Sequence, residues 1–168
     1  KMLPRNITNN FLVANYGGGN GAVDNDDGSE YYENNHNFQI YGHQKFKVGA
    51  IHSYGNVMAY MTDYGVKWHP AGNIPTDPNS MHDNIVIFQP SSDVRAYHDC
   101  EAWHARNNSL YAGAPGILIS GSACLGRNYT LVEWQALDPA TNDVGSTYTQ
   151  RFPSGAEIVA WARAIIDV

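Results

Sequence analysis

The sequence predicts an all-β fold of parallel strands wound into a solenoid, a β-helix, with an α-helix closing its C-terminus. Three observations predict it. Five segments share one form: NNFLVANY from Asn9, HNFQIYG from His36, GNVMAYM from Gly55, DNIVIFQ from Asp83 and NNSLYAG from Asn107. In each, an asparagine (Asn10, Asn37, Asn56, Asn84, Asn108) precedes an alternating or continuous apolar run. Their uneven spacing, about two dozen residues, suits stacked coils, in which loops vary in length while strands stay in register. The second observation is composition: only 15% of residues are charged, yet 16 are glycine and mean hydropathy is -0.41, so neutral polar and turn-forming residues dominate. The third is a change of period from two to 3.6 near the end of the chain.

Each coil is expected to hold two or three short strands. Between the asparagine-led segments lie further apolar stretches, KFKVGAI from Lys45, DVRAYH from Asp93 and GILISG from Gly116. Stacked in parallel, such strands bury ladders of Val, Ile, Leu and Phe, and a repeated Asn at a turn can donate its amide to its neighbour one coil away. Short strands with regular turn signals also describe a β-sandwich, which leaves the fivefold asparagine unexplained. About five rungs are expected over residues 1–152. Residues 153–168 are expected to form a helix on the last rung, with Ser154 as N-cap, Glu157 completing a capping box, and Ile158, Val159, Trp161, Ala162, Ile165 and Ile166 on one face. KMLPRNITNNFLVANY reaches a strand without any such helix, so the first rung is expected to be covered by an upstream segment or by another molecule.

The chain has 168 residues, 43% of them apolar, enough for one core. A formal charge of -6 leaves no basic stripe for phosphates, so nucleic acid is not an expected partner, and no apolar run approaches the roughly 20 residues of a membrane span. Cys100 and Cys124 make an even pair suited to one disulfide, although two buried thiols give the same count. Sequons at Asn6, Asn107 and Asn128 join them in pointing to a secreted or cell-surface, glycosylated protein.

DDGSEYY followed by NFQIYG, YHDC ending at Cys100, and above all LVEWQALDPATNDVGSTYTQRFPSGAEIVAWARAII from Leu131 resemble the C-terminal half of secreted right-handed parallel β-helix proteins of the pectate-lyase-like superfamily. The resemblance implies a right-handed helix and a carbohydrate partner; it does not itself choose a reaction. KVGAIHSYG keeps the Lys47 and His52 expected from the family but has Gly49 or Ala50 in place of its acid.

The acidic stretch DNDDGS admits three readings. Asp24 or Asp26, with Lys45 or Lys47 and His52 on successive rungs, would make a catalytic set in which a lysine removes the proton beside a uronate carboxylate. Asp24, Asp26 and Asp27 offer hard oxygen ligands for Ca²⁺ without matching the EF-hand spacing. A solvated, Asx-rich turn needs no ligand at all. Tyr31, Tyr32, Tyr54 and Trp68 are candidates for stacking on sugar rings, or for aromatic ladders of a solenoid. His98, Cys100 and His104 lack a zinc spacing, GGGNG lacks that of a phosphate loop, and no G-x-S-x-G elbow occurs. These features lead to a structural or glycan-binding module able to associate head to tail, with a lyase, epimerase or hydrolase acting on an acidic polysaccharide as the alternative.

Overall fold

The computed structural model describes residues 3–13, 22–25, 30–46, 49–61, 64–68, 79–89, 95–98, 103–113, 118–120 and 127–166, with residues 24, 64–68, 95–98, 103 and 118–120 described by backbone alone. The strands follow a cycle of three. The first cycle is β1 (Arg5–Thr8), β2 (Phe11–Val13) and β3 (Val23–Asn25); the second is β4 (Tyr32–Asn35), β5 (Phe38–Ile40) and β6 (Gln44–Phe46). Then come β7 (Ile51–Tyr54), β8 (Val57–Met61) and β9 (Tyr64–Trp68), followed by β10 (Asn79–His82), β11 (Ile85–Phe88) and β12 (Arg95–His98). The fifth cycle is β13 (Trp103–Arg106), β14 (Ser109–Ala112) and β15 (Leu118–Ser120). The chain ends with β16 (Tyr129–Thr130), helix α1 (Leu131–Leu137), β17 (Thr147–Gln150) and helix α2 (Gly155–Ile166).

Each member of a cycle joins a different sheet. The first sheet is ordered β1-β4-β7-β10-β13, the second β2-β5-β8-β11-β14-β17, and the third β3-β6-β9-β12-β15-β16. Every pairing is parallel except that of β15 with β16. A parallel pair needs a long crossover; here the excursion through the other two sheets supplies it.

The repeated asparagine fixes the corner between the first two sheets. Asn10, Asn37 and Asn56 each donate both backbone N–H and side-chain amide to the Oδ1 of the next asparagine, at 2.9–3.2 Å, and Asn84 does the same to Asn108. The second amide hydrogen goes to a carbonyl of the first sheet, as from Asn56 to Asn34 at 2.9 Å. The residue before each of these asparagines is left-handed: Asn9, His36, Gly55, Asp83 and Asn107 have φ between 51° and 62°. Asn, Asp, His and Gly are the types that tolerate that region. The series has a sixth member, one more than the five expected: Gly145 at φ 75° precedes Ser146, whose hydroxyl accepts from the Asn108 N–H at 2.9 Å.

One apolar cluster draws on all three sheets, with Phe46 from the third, Ile51, Met81 and Ala105 from the first, and Met58, Met61, Val86, Phe88, Leu110 and Ala112 from the second. Towards the N-terminal strands the interior turns polar, with Asn34, Gln39 and Gln44 fully buried.

The two helices divide between them the role expected of one. Ser154 and Glu157 form the predicted capping box, Glu157 accepting from the Ser154 N–H at 2.8 Å and donating its own N–H to the Ser154 hydroxyl at 3.2 Å. The helix that follows, α2, lies against the outside of the second sheet, packing Ile158 and Ala162 on Phe38, Val57, Ala59 and Ile87. It spans strands of several cycles rather than stacking on the last one, because the outward side chains of β5, β8 and β11 are apolar and need cover. Of its predicted apolar stripe, Val159 remains 47% exposed. The end of the core is covered instead by the seven-residue α1, whose Leu131 and Trp134 join Tyr129 in the interior cluster. Its own capping box, Thr130 with Glu133, starts it at the edge of the third sheet.

Candidate functional site

Parallel register turns one position per cycle into a row. Glu33, His52, Ser80 and His104 are successive Cα partners across β4, β7, β10 and β13. Two residues further on, Asn35, Tyr54, His82 and Arg106 form a second row. Alternation sends both rows to the face opposite Asn34, Ser53, Met81 and Ala105, which are buried. The first sheet thus carries titratable and hydrogen-bonding groups outward, spaced by the strand separation of roughly 4.8 Å.

These rows, Asn35 excepted, line a cavity of about 680 Å³. Its far wall is Ala140, Thr141 and Val144, from the segment after α1. That wall is pinned at several points. Val144 bridges to Arg106, Asn107 donates its N–H to the Val144 carbonyl at 2.9 Å, and Gln135 donates to the carbonyls of Asp143 and Ser146. Asp138 holds the turn by accepting from the Ala140 N–H and, at 2.6 Å, from the Thr141 hydroxyl; these bonds keep its carboxyl below its usual range.

Within the groove, His52 Nδ1 lies 2.7 Å from Ser80 Oγ, and His82 Nδ1 lies 2.7 Å from the Asp83 carboxylate. The rings of Tyr54 and His82 stack at 5.1 Å, and His36 meets Tyr54 edge-on at 6.1 Å. Burial raises the Tyr54 phenol above its usual range, and the charge of Glu33 and a hydrogen bond to it add to the shift.

The residues singled out from sequence distribute unevenly over this frame. His52 and Tyr54 line the groove. Asp24 belongs to β3 and pairs with Lys45 of β6 in the third sheet, so the described parts of the proposed Asp24–His52 set stand on different sheets. Lys45 is buried. Asp26, Asp27 and Lys47 lie outside the described residues, as do Cys100 and Cys124. Among the described residues no group of three or more His, Cys, Asp or Glu side chains is arranged to hold a metal ion. Tyr32 packs against the interior cluster with Arg5 over its ring at 5.6 Å, and Tyr31 occupies the left-handed position before β4. Trp68 is placed in the third sheet by its backbone. Aromatic ladders do occur: Tyr41 stacks on Tyr60 at 5.9 Å and Phe11 on Phe38 at 5.1 Å. Of the sequons, Asn6 and Asn107 are exposed and Asn128 is half-buried.

Sequence reasoning missed Glu33, Ser80, His82 and Arg106, and weighed His104 only for a zinc site. A signal for them exists. Glu33, His52, Ser80 and His104 each stand four places before a ladder asparagine, and Tyr54, His82 and Arg106 two places before. None of the described helices is long and apolar enough to cross a membrane. No family model matches the chain, and neither a curated protein nor a solved structure matches it.

Proposed function

We propose that this chain is a right-handed parallel β-helix module of an extracellular protein, and that it holds a glycan in the groove of the first sheet. The repeated passage through three parallel sheets and the continuous asparagine ladder support the β-helix reading. Exposed sequons at Asn6 and Asn107 support the extracellular one.

The observation that carries the binding reading is the pair of outward rows. They present hydroxyl, imidazole, carboxylate and guanidinium groups at regular intervals along an open trough. A linear glycan also repeats its hydroxyls at regular intervals and exposes C–H faces, for which the stacked rings of Tyr54 and His82 offer a platform. The Arg106 guanidinium in the groove offers a fork of donors to a carboxylate or sulfate, which favours a glycan bearing such groups.

Calorimetric titration with neutral, uronate and sulfated oligosaccharides tests the reading. Binding to an anionic member is expected, weakened at least tenfold by Arg106→Ala and by Tyr54→Ala. Absence of binding across the panel, or affinity indifferent to both substitutions, would overturn it.

A further inference from the structure

We propose that Ser80 and His52 form a nucleophile–base pair and that the groove is a site of acyl transfer, hydrolysing carboxylic esters. The two side chains, from adjacent strands of this face, are in hydrogen-bond contact, His52 Nδ1 to Ser80 Oγ at 2.7 Å. Both side chains are half-exposed and line the same open cavity, so an ester carbonyl can reach the hydroxyl. A serine is weakly nucleophilic until a base takes its proton, and a neutral imidazole within hydrogen-bond reach is the usual means. Adjacent parallel strands hold the two groups in register, so neither has to move far to meet the other.

The far side of Ser80 completes the arrangement. His104, its in-register partner on β13, and Arg106, two residues along that strand, supply N–H donors on the side away from His52. That is where a carbonyl oxygen gathers negative charge when attacked from Ser80. Ala140 and Val144 give the opposite wall an apolar surface suited to a short acyl chain.

The step balances without a cofactor. Ser80 Oγ adds to the ester carbonyl while its proton passes to His52 Nδ1. The tetrahedral intermediate expels the alcohol, which takes the proton from His52, and Ser80 is left acylated. Water, deprotonated by the same imidazole, then attacks the acyl group and releases the carboxylic acid, returning the proton to Ser80. The proposal rests on the glycan reading only for the alcohol, an O-acylated sugar; the pair itself is independent of it.

A fluorophosphonate reagent with peptide mapping by mass spectrometry tests the pair on the intact wild-type chain. A single adduct on Ser80 is expected, as is hydrolysis of p-nitrophenyl acetate and release of acetate from an O-acetylated polysaccharide. Ser80→Ala is expected to abolish adduct and turnover, a loss above about 100-fold, and His52→Ala to slow labelling by about 100-fold. No adduct at Ser80 in the wild type, or turnover unchanged in Ser80→Ala, overturns the proposal. The wild-type map needs no variant, so a misfolded Ser80→Ala chain does not obscure the result. Labelling uses no glycan: failure to label with oligosaccharide binding intact sinks the pair alone, and labelling without such binding sinks the glycan reading alone.

Discussion

The first and second sheets are built on the same turn and the same ladder, yet their outer faces have opposite fates. Beyond the second sheet, Phe38, Val57, Ala59 and Ile87 are apolar and lie under α2, so β8 and β11 read as almost unbroken hydrophobic runs. Beyond the first sheet, Glu33, His52, Ser80 and His104 face an open groove, and β7 alternates buried with half-exposed positions. The difference shows where stability and function reside. Outward residues of β5, β8 and β11 are fixed by packing under α2; those of the first sheet are held by their strands and by contacts with one another, which leaves their chemistry free to vary.

The ladder serves both sheets, so its loss is expected to have the largest effect. Asn56→Ala removes the acceptor of the Asn37 N–H and amide and the donor to Asn84 Oδ1, the Asn34 carbonyl and the Ser53 hydroxyl, all in the buried corner. With several buried groups left unpaired, destabilisation of about 4 kcal/mol is expected in urea unfolding. A loss under about 1 kcal/mol would show the ladder to be decoration on a structure held by packing.

Next in size is the contact that distinguishes the second sheet. Ile158→Ala empties the centre of the α2 face and is expected to cost about 3 kcal/mol. If the helix were only lightly docked, the same substitution would cost far less and would leave hydrogen exchange of β8 unchanged.

A smaller effect attaches to the start of that helix and depends on pH. The Arg151 guanidinium, at 2.8 Å, and then the Ser154 N–H and hydroxyl lower the Glu157 carboxyl from 4.5 to about 2. A depressed folded-state value means the carboxylate is favoured by folding. Its contribution is complete above pH 4.5 and is lost as pH falls towards 2. Melting temperatures of the wild type and Glu157→Gln are expected to differ by a constant amount above pH 5 and to converge between about pH 4 and 2. The carboxylate is exposed, so the gap should also shrink in high salt.

What could be read from the sequence follows from the same division. The asparagine repeat was legible because it sits beside an apolar run five times, a local pattern that survives uneven loops. The α2 capping box and stripe were legible for the same reason. The left-handed residue before each asparagine was written there too, as Asn, His, Gly, Asp and Asn. The groove was not seen, because Glu33, His52, Ser80 and His104 are of three residue types; only their constant offset from the ladder joins all four. Asp24 and His52 were expected to be neighbours on successive coils, but consecutive strands join three different sheets, and closeness in sequence does not decide which sheet a residue enters. Helix α1 was overlooked although Thr130-Leu-Val-Glu133 has capping-box spacing, since seven residues show too little periodicity to stand out.

The smallest effect on stability is expected where the effect on binding is largest. Arg106 and His104 are exposed on β13, and among the described residues neither supplies a side-chain hydrogen bond to the ladder or to the interior. Truncating either to alanine should therefore change unfolding free energy by no more than about 0.5 kcal/mol, the range of surface substitutions. The same changes remove donors from a groove whose remaining side chains cannot move to replace them, since each is tied to its own strand. Urea unfolding and oligosaccharide titration on the same samples give the ratio of the two effects. A groove evolved for recognition yields near-native stability with binding weakened tenfold or more. Equal, small losses in both would make the first sheet's outer face no more than the solvated side of a strand array, and its contrast with the second sheet would reduce to polarity alone.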